Sequence, residues 1–378
     1  MRTLHLAHTS ASSGGEIALL RLLGALDRDA VDSVLVCAED GRLVEDARRH
    51  GVPTLVEPLP PAIRDRRRQQ AGQVSTLALV PSLVAYAARV ARVARAHRAD
   101  AIHTNSLKAL VYGLLAGRLA GIPVVAHLRD DLSQLNAGPA GTAVRSSLRR
   151  LPAVVVGCSS YVLAVAGVDA SRARVVYTGV PRAELADGIA PRSGPPVVGM
   201  VARVSPWKGQ DLFLRAAARV AVRRPDVRFR IIGAPLFGEE PYLREIERLA
   251  ARRPLAGRVE LTGFVPDPRT AYDQLTVAVA ASVLPEPFGN VIVEAMARGL
   301  PVVAPAEGGP TEIITSGVDG LLIPPRDPAA LARAILSLLD DPSRTVALAG
   351  EALRTVETRF TLESSARRFT EILREVAA

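Results

Sequence analysis

The sequence predicts an α/β protein that folds as two halves, each built around a parallel sheet. Three observations support this fold class. The chain has 378 residues, more than a single domain usually holds. Short apolar runs alternate with longer helical patterns in both halves, which is typical of parallel strands covered by helices on both faces. Residues 181–196 contain four prolines and two glycines without an apolar period, so we predict the link between the halves there.

The first half starts with an apolar run that we interpret as a strand. A Ser/Gly turn follows it, and then a helix that carries Ile17, Leu20 and Leu23. The predicted strands of this half are at 3–7, 34–37, 101–103, 124–127 and 154–157, and its later helices are at 43–50, 83–97 and 108–120.

The second half repeats this alternation. Its predicted strands are at 197–201, 227–232, 259–262, 277–281 and 301–304, and its helices at 210–223, 242–251, 289–298, 311–315 and 329–339. Ligands of parallel sheets usually bind at the carboxyl ends of the strands, so the loops that follow these strands are the predicted site. A last helix, 362–378, could pack on either half.

Composition indicates a globular protein of a reducing compartment. Two cysteines, Cys37 and Cys158, are too few for a disulfide framework, and no His/Cys group has metal-ligand spacing. Residues 1–10 lack the unbroken apolar core of a signal peptide. The uncharged run 69–88 contains Pro81 and polar side chains, so we interpret it as a helix and its approach, not as a membrane span. We therefore expect a cytoplasmic protein.

The net charge of +9 is concentrated in residues 1–190, which hold 23 basic and 16 acidic side chains. An arginine cluster at 64–68 and a helical stripe of Arg89, Arg92, Arg95 and Arg98 contribute to it. Such stripes are usually solvated faces. The alternative is attraction to an anionic acceptor or peripheral contact with the inner face of an anionic membrane.

The strongest local signal is the segment 285–301, PEPFGNVIVEAMARGLP. A strand end and a proline-bounded turn lead into a helix near Gly289, and the free N–H groups of a first helical turn suit a phosphate. Glu286 precedes the helix and Glu294 lies about two turns into it. An eight-residue separation would bring both carboxylates to similar azimuths, where one could hold sugar hydroxyls and the other ribose hydroxyls. Alternatively, both are ordinary surface charges.

A second signal is the segment 199–209, GMVARVSPWKG, between a strand and a helix. Arg203 and Lys208 are two cations in one loop, and such a pair could hold a diphosphate by charge-assisted hydrogen bonds. Lys208 is one of only two lysines among 47 basic residues. Trp207 beside it could equally be a packing residue.

Polar residues also follow two strands of the first half. His127 has the side chain whose ordinary pKa suits proton or hydrogen-bond exchange near neutrality, although a buried histidine at a strand end is the plainer interpretation. His103 and Asn105 could contact an acceptor or form a helix cap. Asp130 could bind acceptor hydroxyls or lie in a solvated loop.

Together these motifs resemble the GT4 family of retaining glycosyltransferases with the GT-B fold. The matching segments in the second half are 199–209, TGFVPD at 262–267, 285–301 with its Glu-x7-Glu element, EGGPTEI at 307–313, Gly317 and GLL at 320–322. In the first half the similarity rests on SGGE at 13–16 and on 126–127.

The resemblance implies two Rossmann-like domains that face each other across a cleft. Residues 1–185 would bind the acceptor and residues 186–360 the nucleotide sugar, with a C-terminal helix at 361–378 that could pack back on the first domain. His127 and Glu286 would be catalytic, beside the reacting carbon and the transferred sugar. The implied donor-binding residues are Gly14, Gly15, Arg203, Lys208, Val265, Phe288, Gly289, Asn290, Val291 and Glu294.

The implied reaction moves a sugar, with retention of configuration, from a nucleotide-diphosphate sugar to an acceptor hydroxyl. The acceptor would be a secondary metabolite, a surface polysaccharide or a lipid-linked molecule. No cofactor is expected. Fixed cations and helix amides would replace a metal at the diphosphate, since the chain has no Asp-x-Asp motif suited to a metal.

Other functions fit less well. A nucleotide-sugar epimerase would share two Rossmann-like units but not the Arg/Lys loop and spaced glutamates, and a nucleotide-sugar-binding protein without activity would not need a full set of catalytic residues. A dehydrogenase is disfavoured because no G-x-G-x-x-G follows the first strand. Nucleic-acid binding is not expected because no recognition motif occurs.

Overall fold

A computed structural model describes residues 1–11, 14–64, 76–134, 139–189, 194–236 and 238–377. The chain divides into two compact units. Unit 1 consists of Met1–Gly179 together with Leu362–Ala378, and unit 2 is Val180–Thr361. The predicted boundary after residue 185 lies a few residues beyond the division, and the last helix belongs to unit 1.

Unit 1 is built on a parallel sheet of seven strands in the order β3-β2-β1-β4-β5-β6-β7. The strand order runs outward from β1 in both directions, as in doubly wound sheets. Its strands are β1 Arg2–Ala7, β2 Asp32–Cys37, β3 Thr54–Val56, β4 Ala101–Thr104, β5 Val124–Leu128, β6 Val154–Gly157 and β7 Ala173–Val175. The helices are α1 Gly14–Ala25, α2 Arg42–Arg49, α3 Pro61–Arg64, α4 Val80–Ala96, α5 Leu107–Ala120, α6 Pro139–Arg150, α7 Ser160–Ala166 and, from the chain end, α15 Leu362–Ala377.

Unit 2 contains a six-stranded parallel sheet in the order β10-β9-β8-β11-β12-β13. Its strands are β8 Val197–Val201, β9 Arg228–Ile232, β10 Val259–Gly263, β11 Val277–Val279, β12 Val302–Pro305 and β13 Leu321–Ile323. Its helices are α8 Gln210–Arg223, α9 Glu240–Ala250, α10 Pro268–Asp273, α11 Asn290–Ala297, α12 Pro310–Ile313, α13 Pro328–Leu339 and α14 Pro342–Arg359. Two parallel sheets with helices around them confirm the predicted α/β class.

The terminal helix α15 completes the core of unit 1. Phe369, Ile372 and Leu373 are fully buried in the cluster that α1 and β2 also line. Ser365 Oγ donates a hydrogen bond to the carbonyl of Tyr177 at 2.7 Å. Helix α15 therefore supplies part of the apolar cover of the sheet of unit 1.

Capping residues fix the starts of several helices. Ser106 accepts a hydrogen bond from the amide of Ala109 and so starts α5, and Asp327 accepts two at the start of α13. Gly121 ends α5 in the left-handed conformation.

The structure adds elements that the pattern did not predict. Strands β3, β7 and β13 have three residues each, too few for a two-residue alternation to be read. Helices α3, α6, α7, α10 and α14 were also not predicted. Of the three residues named on α1, Leu23 is buried, Leu20 is half-buried and Ile17 is 42% exposed; Leu19 and Leu22 are buried as well.

No helix in the described part of the chain has both the length and the apolar character needed to cross a membrane. Of the uncharged run 69–88, residues 69–75 lie outside the described residues, as do 65–68 of the arginine cluster and Ser13. The remainder of the run forms a 3-10 turn at Thr76–Leu79 and the first half of α4.

Phe213 provides a test of the unit 2 core. Its ring is fully buried on α8, 6.3 Å from that of Phe229 in an edge-to-face arrangement. We expect Phe213→Ala to lower the free energy of unfolding by about 3–5 kcal/mol, measured by urea denaturation. Val222→Ala on the same helix is the control, because Val222 is 72% exposed and its loss should change stability by less than about 0.5 kcal/mol. Equal effects would contradict this core assignment.

Candidate functional site

The loop between β8 and α8 is held tightly against the end of β11. A 3-10 turn, Pro206–Lys208, leads to Gly209, which has a φ of 75°. A Cβ at Gly209 would lie 2.1 Å from the carbonyl oxygen of Ala281, so a glycine is required. The amide of Val283 donates to the carbonyl of Trp207 at 2.9 Å. These contacts bring the predicted diphosphate loop to the segment that starts the 285–301 motif.

Lys208 and Glu286 form a buried ion pair at this junction. Lys208 Nζ lies 2.6 Å from Glu286 Oε1, and the two side chains are 15% and 7% exposed. The Ser282 hydroxyl donates to the same carboxylate oxygen. Nζ also lies 4.0 Å from the centroid of the Trp207 ring, within cation–π range. The sequence predicted both charged residues but neither their pairing nor the role of Ser282.

Arg203 lies in the same loop with a different carboxylate. Its Nε is 3.5 Å from Glu239 Oε2. Gln210 donates to the carbonyl of Arg203 at 2.8 Å and so fixes the loop backbone from the first residue of α8. Both predicted cations therefore face carboxylates that an anionic ligand could replace.

A glycine turn at 308–309 packs directly on the motif. The amide of Gly309 donates to the carbonyl of Glu286 at 2.8 Å. A Cβ at Gly309 would come within 2.2 Å of the Phe288 carbonyl oxygen. The glycines of the EGGPTEI segment are thus required for packing, because they let the loop after β12 support the start of α11.

Helix α11 begins at Asn290, with Gly289 as its N-cap at a φ of 117°. Amides of the first helical turn have no acceptor within the helix, which leaves those of Asn290 and Val291 available to an anion. Phe288 is buried and its ring packs 5.9 Å from that of Phe360, so only its backbone can contribute to a ligand site.

The two glutamates of the motif do not share a helix face, and this corrects the prediction. Glu286 lies four residues before Asn290 and is bound to Lys208. Glu294 lies little more than one turn into α11, where its Oε2 accepts a hydrogen bond from Tyr272 Oη at 3.1 Å. Tyr272 belongs to α10, which the sequence did not predict. Val265 is half-buried just after β10.

In unit 1, His127 is 2% exposed at the end of β5. Its Nδ1 lies 3.2 Å from His103 Nε2, and its Nε2 has no hydrogen-bond partner among the residues that the structure describes. His127 lines a pocket together with Arg129, Tyr177 and Thr178. One ring nitrogen is therefore engaged with His103, and the other is buried without a partner in the described protein.

Burial lowers the pKa of His127 well below its ordinary value, and the nearby Arg129 cation lowers it further. The imidazole is therefore neutral at pH 7. This corrects the expectation of a group that titrates near neutrality: His127 can exchange hydrogen bonds but does not carry a stored proton. Burial also lowers the pKa of Arg129 to about 10, which leaves it charged.

Two predicted acceptor contacts are not available in this structure. His103 is fully buried, with His5 and His127 at its two ring nitrogens. Asn105 is 2% exposed; it donates to the carbonyl of Gly15 at 3.1 Å and accepts from Arg129 Nε at 2.6 Å. Both side chains lack a free polar face for an acceptor.

The remaining predicted residues of unit 1 are two glycines at the start of a helix and an aspartate that follows β5. Gly14 and Gly15 begin α1, and Asn105 ties Gly15 to Arg129. Asp130 is half-buried, and its contact with an acceptor stays a prediction.

The basic stripe on α4 is partly structural. Arg89 donates to the carbonyl of Pro58 at 2.8 Å, and Arg95 donates to the carbonyl of Leu119. Arg92 is exposed on α4. Arg98 is also exposed, but it lies beyond the end of the helix at Ala96 with a φ of 49°, so the predicted helical stripe does not extend to it. No group of three or more His, Cys, Asp or Glu within the described ranges is arranged to hold a metal ion.

Comparison with known proteins places these motifs in a family. Residues 195–341 match the family described as Glycosyl transferases group 1, and residues 13–181 match the Glycosyl transferase 4-like domain. The chain is 31% identical over 271 residues to a D-inositol 3-phosphate glycosyltransferase of Kribbella flavida, a match that covers 64% of this chain and 63% of the relative. A D-inositol 3-phosphate glycosyltransferase of Thermomonospora curvata is 30% identical over 317 residues, covering 74% and 73%.

Solved structures agree with this result. The crystal structure of Anabaena HepE in complex with UDP and glucose matches with a TM-score of 0.84 and 29% identity, and the match covers 99% of both chains. Both sheets, the 203–210 loop and the 285–301 motif thus belong to one known architecture. This chain belongs to the group 1, or GT4, glycosyltransferases, whose fold is GT-B.

Proposed function

We propose that the enzyme transfers a sugar from a uridine-diphosphate sugar to an acceptor hydroxyl with retention of anomeric configuration. The observation that carries this proposal is the buried Lys208–Glu286 pair beside the start of α11. A cation, first-turn amides and a carboxylate lie together there, and these are the groups that a diphosphate attached to a sugar requires.

The cations serve the leaving group in this proposal. When the bond between the anomeric carbon and the diphosphate oxygen breaks, its electron pair leaves with the diphosphate, and negative charge grows there. Lys208 and Arg203 stabilise that charge by exchanging Glu286 and Glu239 for phosphate oxygens. The backbone of the loop does not have to rearrange for this exchange, because Gly209 and Gln210 already hold it.

The carboxylates serve the two ends of the donor. Glu286, once Lys208 turns to the phosphate, is still oriented by Ser282 and binds hydroxyls of the transferred sugar. Glu294 binds the ribose hydroxyls, and the hydrogen bond from Tyr272 holds its carboxylate in place. Backbone near Val265 would meet the base.

His127 is proposed to hydrogen-bond the transferred sugar as a neutral imidazole. Gly14 and Gly15 are proposed to meet the diphosphate. The new bond forms between the acceptor oxygen and the anomeric carbon, and the acceptor proton leaves with the diphosphate or solvent.

Uridine diphosphate is the nucleotide that we favour, since HepE is described in complex with UDP and with UDP-glucose at 28–29% identity. The relatives from Kribbella and Thermomonospora are named for D-inositol 3-phosphate, and the match spans only 63% of the first of them. The acceptor classes given above therefore stay predictions, as do the cytoplasmic location and peripheral contact with an anionic membrane.

A nucleotide screen tests the proposed function directly. We expect UDP and one UDP-sugar to raise the melting temperature, since a ligand bound by the native state stabilises it. The same UDP-sugar should release UDP in the presence of an acceptor, with EDTA present, because no metal is needed for the protein's own charge stabilisation. A preference for a non-uridine nucleotide would contradict the proposed uridine donor. A complete loss of activity with EDTA that one stoichiometric metal restores would contradict the proposed independence of a metal.

Removing either cation should abolish most turnover. We expect Lys208→Ala and Arg203→Ala each to lower kcat/KM by about 100- to 1000-fold, equal to about 3–4 kcal/mol of transition-state stabilisation. Lys208→Arg should also fall short, because a planar guanidinium does not replace an ammonium packed on Trp207.

The control is Arg215→Ala, an exposed arginine on α8 that pairs only with Asp211 among the described residues and should keep the wild-type rate. Lys208→Ala leaves the Glu286 carboxylate without its cation and lowers stability, so rates are measured below the variant's melting temperature. A wild-type rate in either cation variant would remove that residue from the site.

Substitution of the two glutamates should impair different properties of the enzyme, UDP binding for Glu294 and kcat for Glu286. Glu294→Ala should weaken UDP binding by about tenfold or more, because a charged acceptor of the ribose hydroxyls is lost. Glu286→Gln should leave UDP binding unweakened and lower kcat, because the contact is made to the sugar and strengthens in the transition state. Calorimetry with UDP and turnover measurements separate the two. The reverse pattern would show that the roles are exchanged.

A further inference from the structure

Four side chains of unit 1 form one continuous line of hydrogen-bonding atoms. Ser33 Oγ lies 3.2 Å from His5 Nε2, and His5 Nδ1 lies 3.0 Å from His103 Nδ1. His103 Nε2 in turn lies 3.2 Å from His127 Nδ1. The line starts at a partly exposed serine on β2, crosses β1 and β4, and ends at the Nε2 of His127 on β5.

The strand register brings the three imidazoles together. His5 and His103 are direct partners across the parallel pair β1–β4, and His127 lies two residues beyond Val125, the partner of His103 on β5. Because side chains two residues apart share a face, the rings lie on one side of the sheet. Phe369 of α15 covers that side, with ring centroids 4.8 Å from His103 and 6.0 Å from His127.

These surroundings keep all three rings neutral. Burial lowers the pKa of His5 to about 3, and it also lowers the pKa of His103, where the neighbouring imidazoles and Arg129 act in the same direction. In a neutral imidazole one ring nitrogen carries a proton and the other accepts. Each gap in the line then holds a single proton.

Only two proton arrangements satisfy every gap with neutral rings. In the first, Ser33 donates to His5, His5 to His103 and His103 to His127, so that Nε2 of His127 carries a proton. In the second, His127 donates from Nδ1 to His103, His103 to His5 and His5 to Ser33, so that Nε2 of His127 is a bare acceptor. The tautomer of His127 is therefore tied to that of the other two rings.

The surroundings of Nε2 select between the two. Nε2 of His127 is buried, is not engaged by His103 and has no partner among the described residues. A buried N–H without an acceptor is rarer in native proteins than a buried acceptor without a donor, so Nε2 is favoured as a bare lone pair. The second arrangement is therefore the stable one in the substrate-free protein.

We propose that His5 and His103 are positioning residues, which hold His127 as the Nδ1–H tautomer so that its Nε2 accepts a hydrogen bond from a substrate hydroxyl. The proposal rests on the proposed role of His127 in sugar transfer. No proton is transferred in the resting protein, and no additional reactant is needed. The line does for His127 what a carboxylate or carbonyl partner does for many functional histidines.

Nitrogen NMR of the protein labelled at its histidine rings reads the tautomers without any assay of activity. We expect protons on Nδ1 of His127, Nδ1 of His103 and Nε2 of His5, and no charged ring among the three at pH 7. A proton on Nε2 of neutral His127, or a cationic ring in the line, would overturn the proposal. Because this readout needs no substrate, it stands even if the proposed sugar donor proves wrong.

Interrupting the line should affect chemistry without affecting nucleotide binding. His103→Phe keeps an aromatic ring against Phe369 but removes both hydrogen bonds. We expect a fall in kcat of at least about tenfold with the active UDP-sugar, an affinity for UDP within about twofold of wild type, and an altered tautomer signal from His127. An unchanged His127 signal, or unchanged kcat, would show that His103 only fills space.

Two further variants keep the test sharp. Thr104→Val is the matched control: Thr104 is the next residue of β4, equally buried, and its hydroxyl has no partner among the described residues, so rate and ring signals should stay as in wild type. Ser33→Ala removes only the partly exposed end of the line and avoids a change in the buried core. It should shift the His5 signal and lower kcat less than His103→Phe does. An effect of Thr104→Val as large as that of His103→Phe would overturn the proposal.

Discussion

The ion pair between Lys208 and Glu286 is the contact on which the architecture of unit 2 around the site depends. It joins the loop after β8 to the loop before α11, and Ser282 and the glycine turn at 308–309 hold the carboxylate side in place. A buried pair of this kind is costly to desolvate and contributes little net stability. In the proposed function, the value of the pair is that it holds the ammonium of Lys208 where phosphate oxygens would replace the carboxylate.

The candidate site residue of unit 1, His127, is paired with a neutral side chain and not, among the described residues, with a carboxylate. The described hydrogen-bond partner of His127 is the imidazole of His103, which is paired in turn with His5, and the ring of Phe369 from the last helix packs on His103 and His127. Burial keeps the rings of His5, His103 and His127 neutral. The property that the surrounding structure then determines is the direction of their hydrogen bonds and not a positive charge. In the proposed function, the charged pair of unit 2 would serve the diphosphate of the donor. The neutral imidazole of unit 1 would serve a substrate hydroxyl.

Much of the fold and of the donor side could be predicted from local patterns. Strands such as β6, β8 and the helix α8 follow from apolar runs and helical periodicity, which depend on neighbours in sequence. The charged loop at 203–208 and the motif at 285–301 could also be recognised, because strand-to-helix loops and helix starts are formed by residues that are adjacent in sequence. The short edge strands β3, β7 and β13 were not predicted. The equally short β11 was, because it lies in the longer apolar run 277–281.

The sequence by itself determined the α/β class, the chemical character of the donor loop and, through its motifs, the family. Tertiary structure decided which side chains are partners. Glu286 and Glu294 looked equivalent at a spacing of eight but lie in different contacts, because α11 begins only at Asn290. His103 looked like a ligand residue and is a buried link between His5 and His127. Such facts depend on strand order and on a helix from the far end of the chain, and no local pattern encodes contacts between residues so distant in sequence.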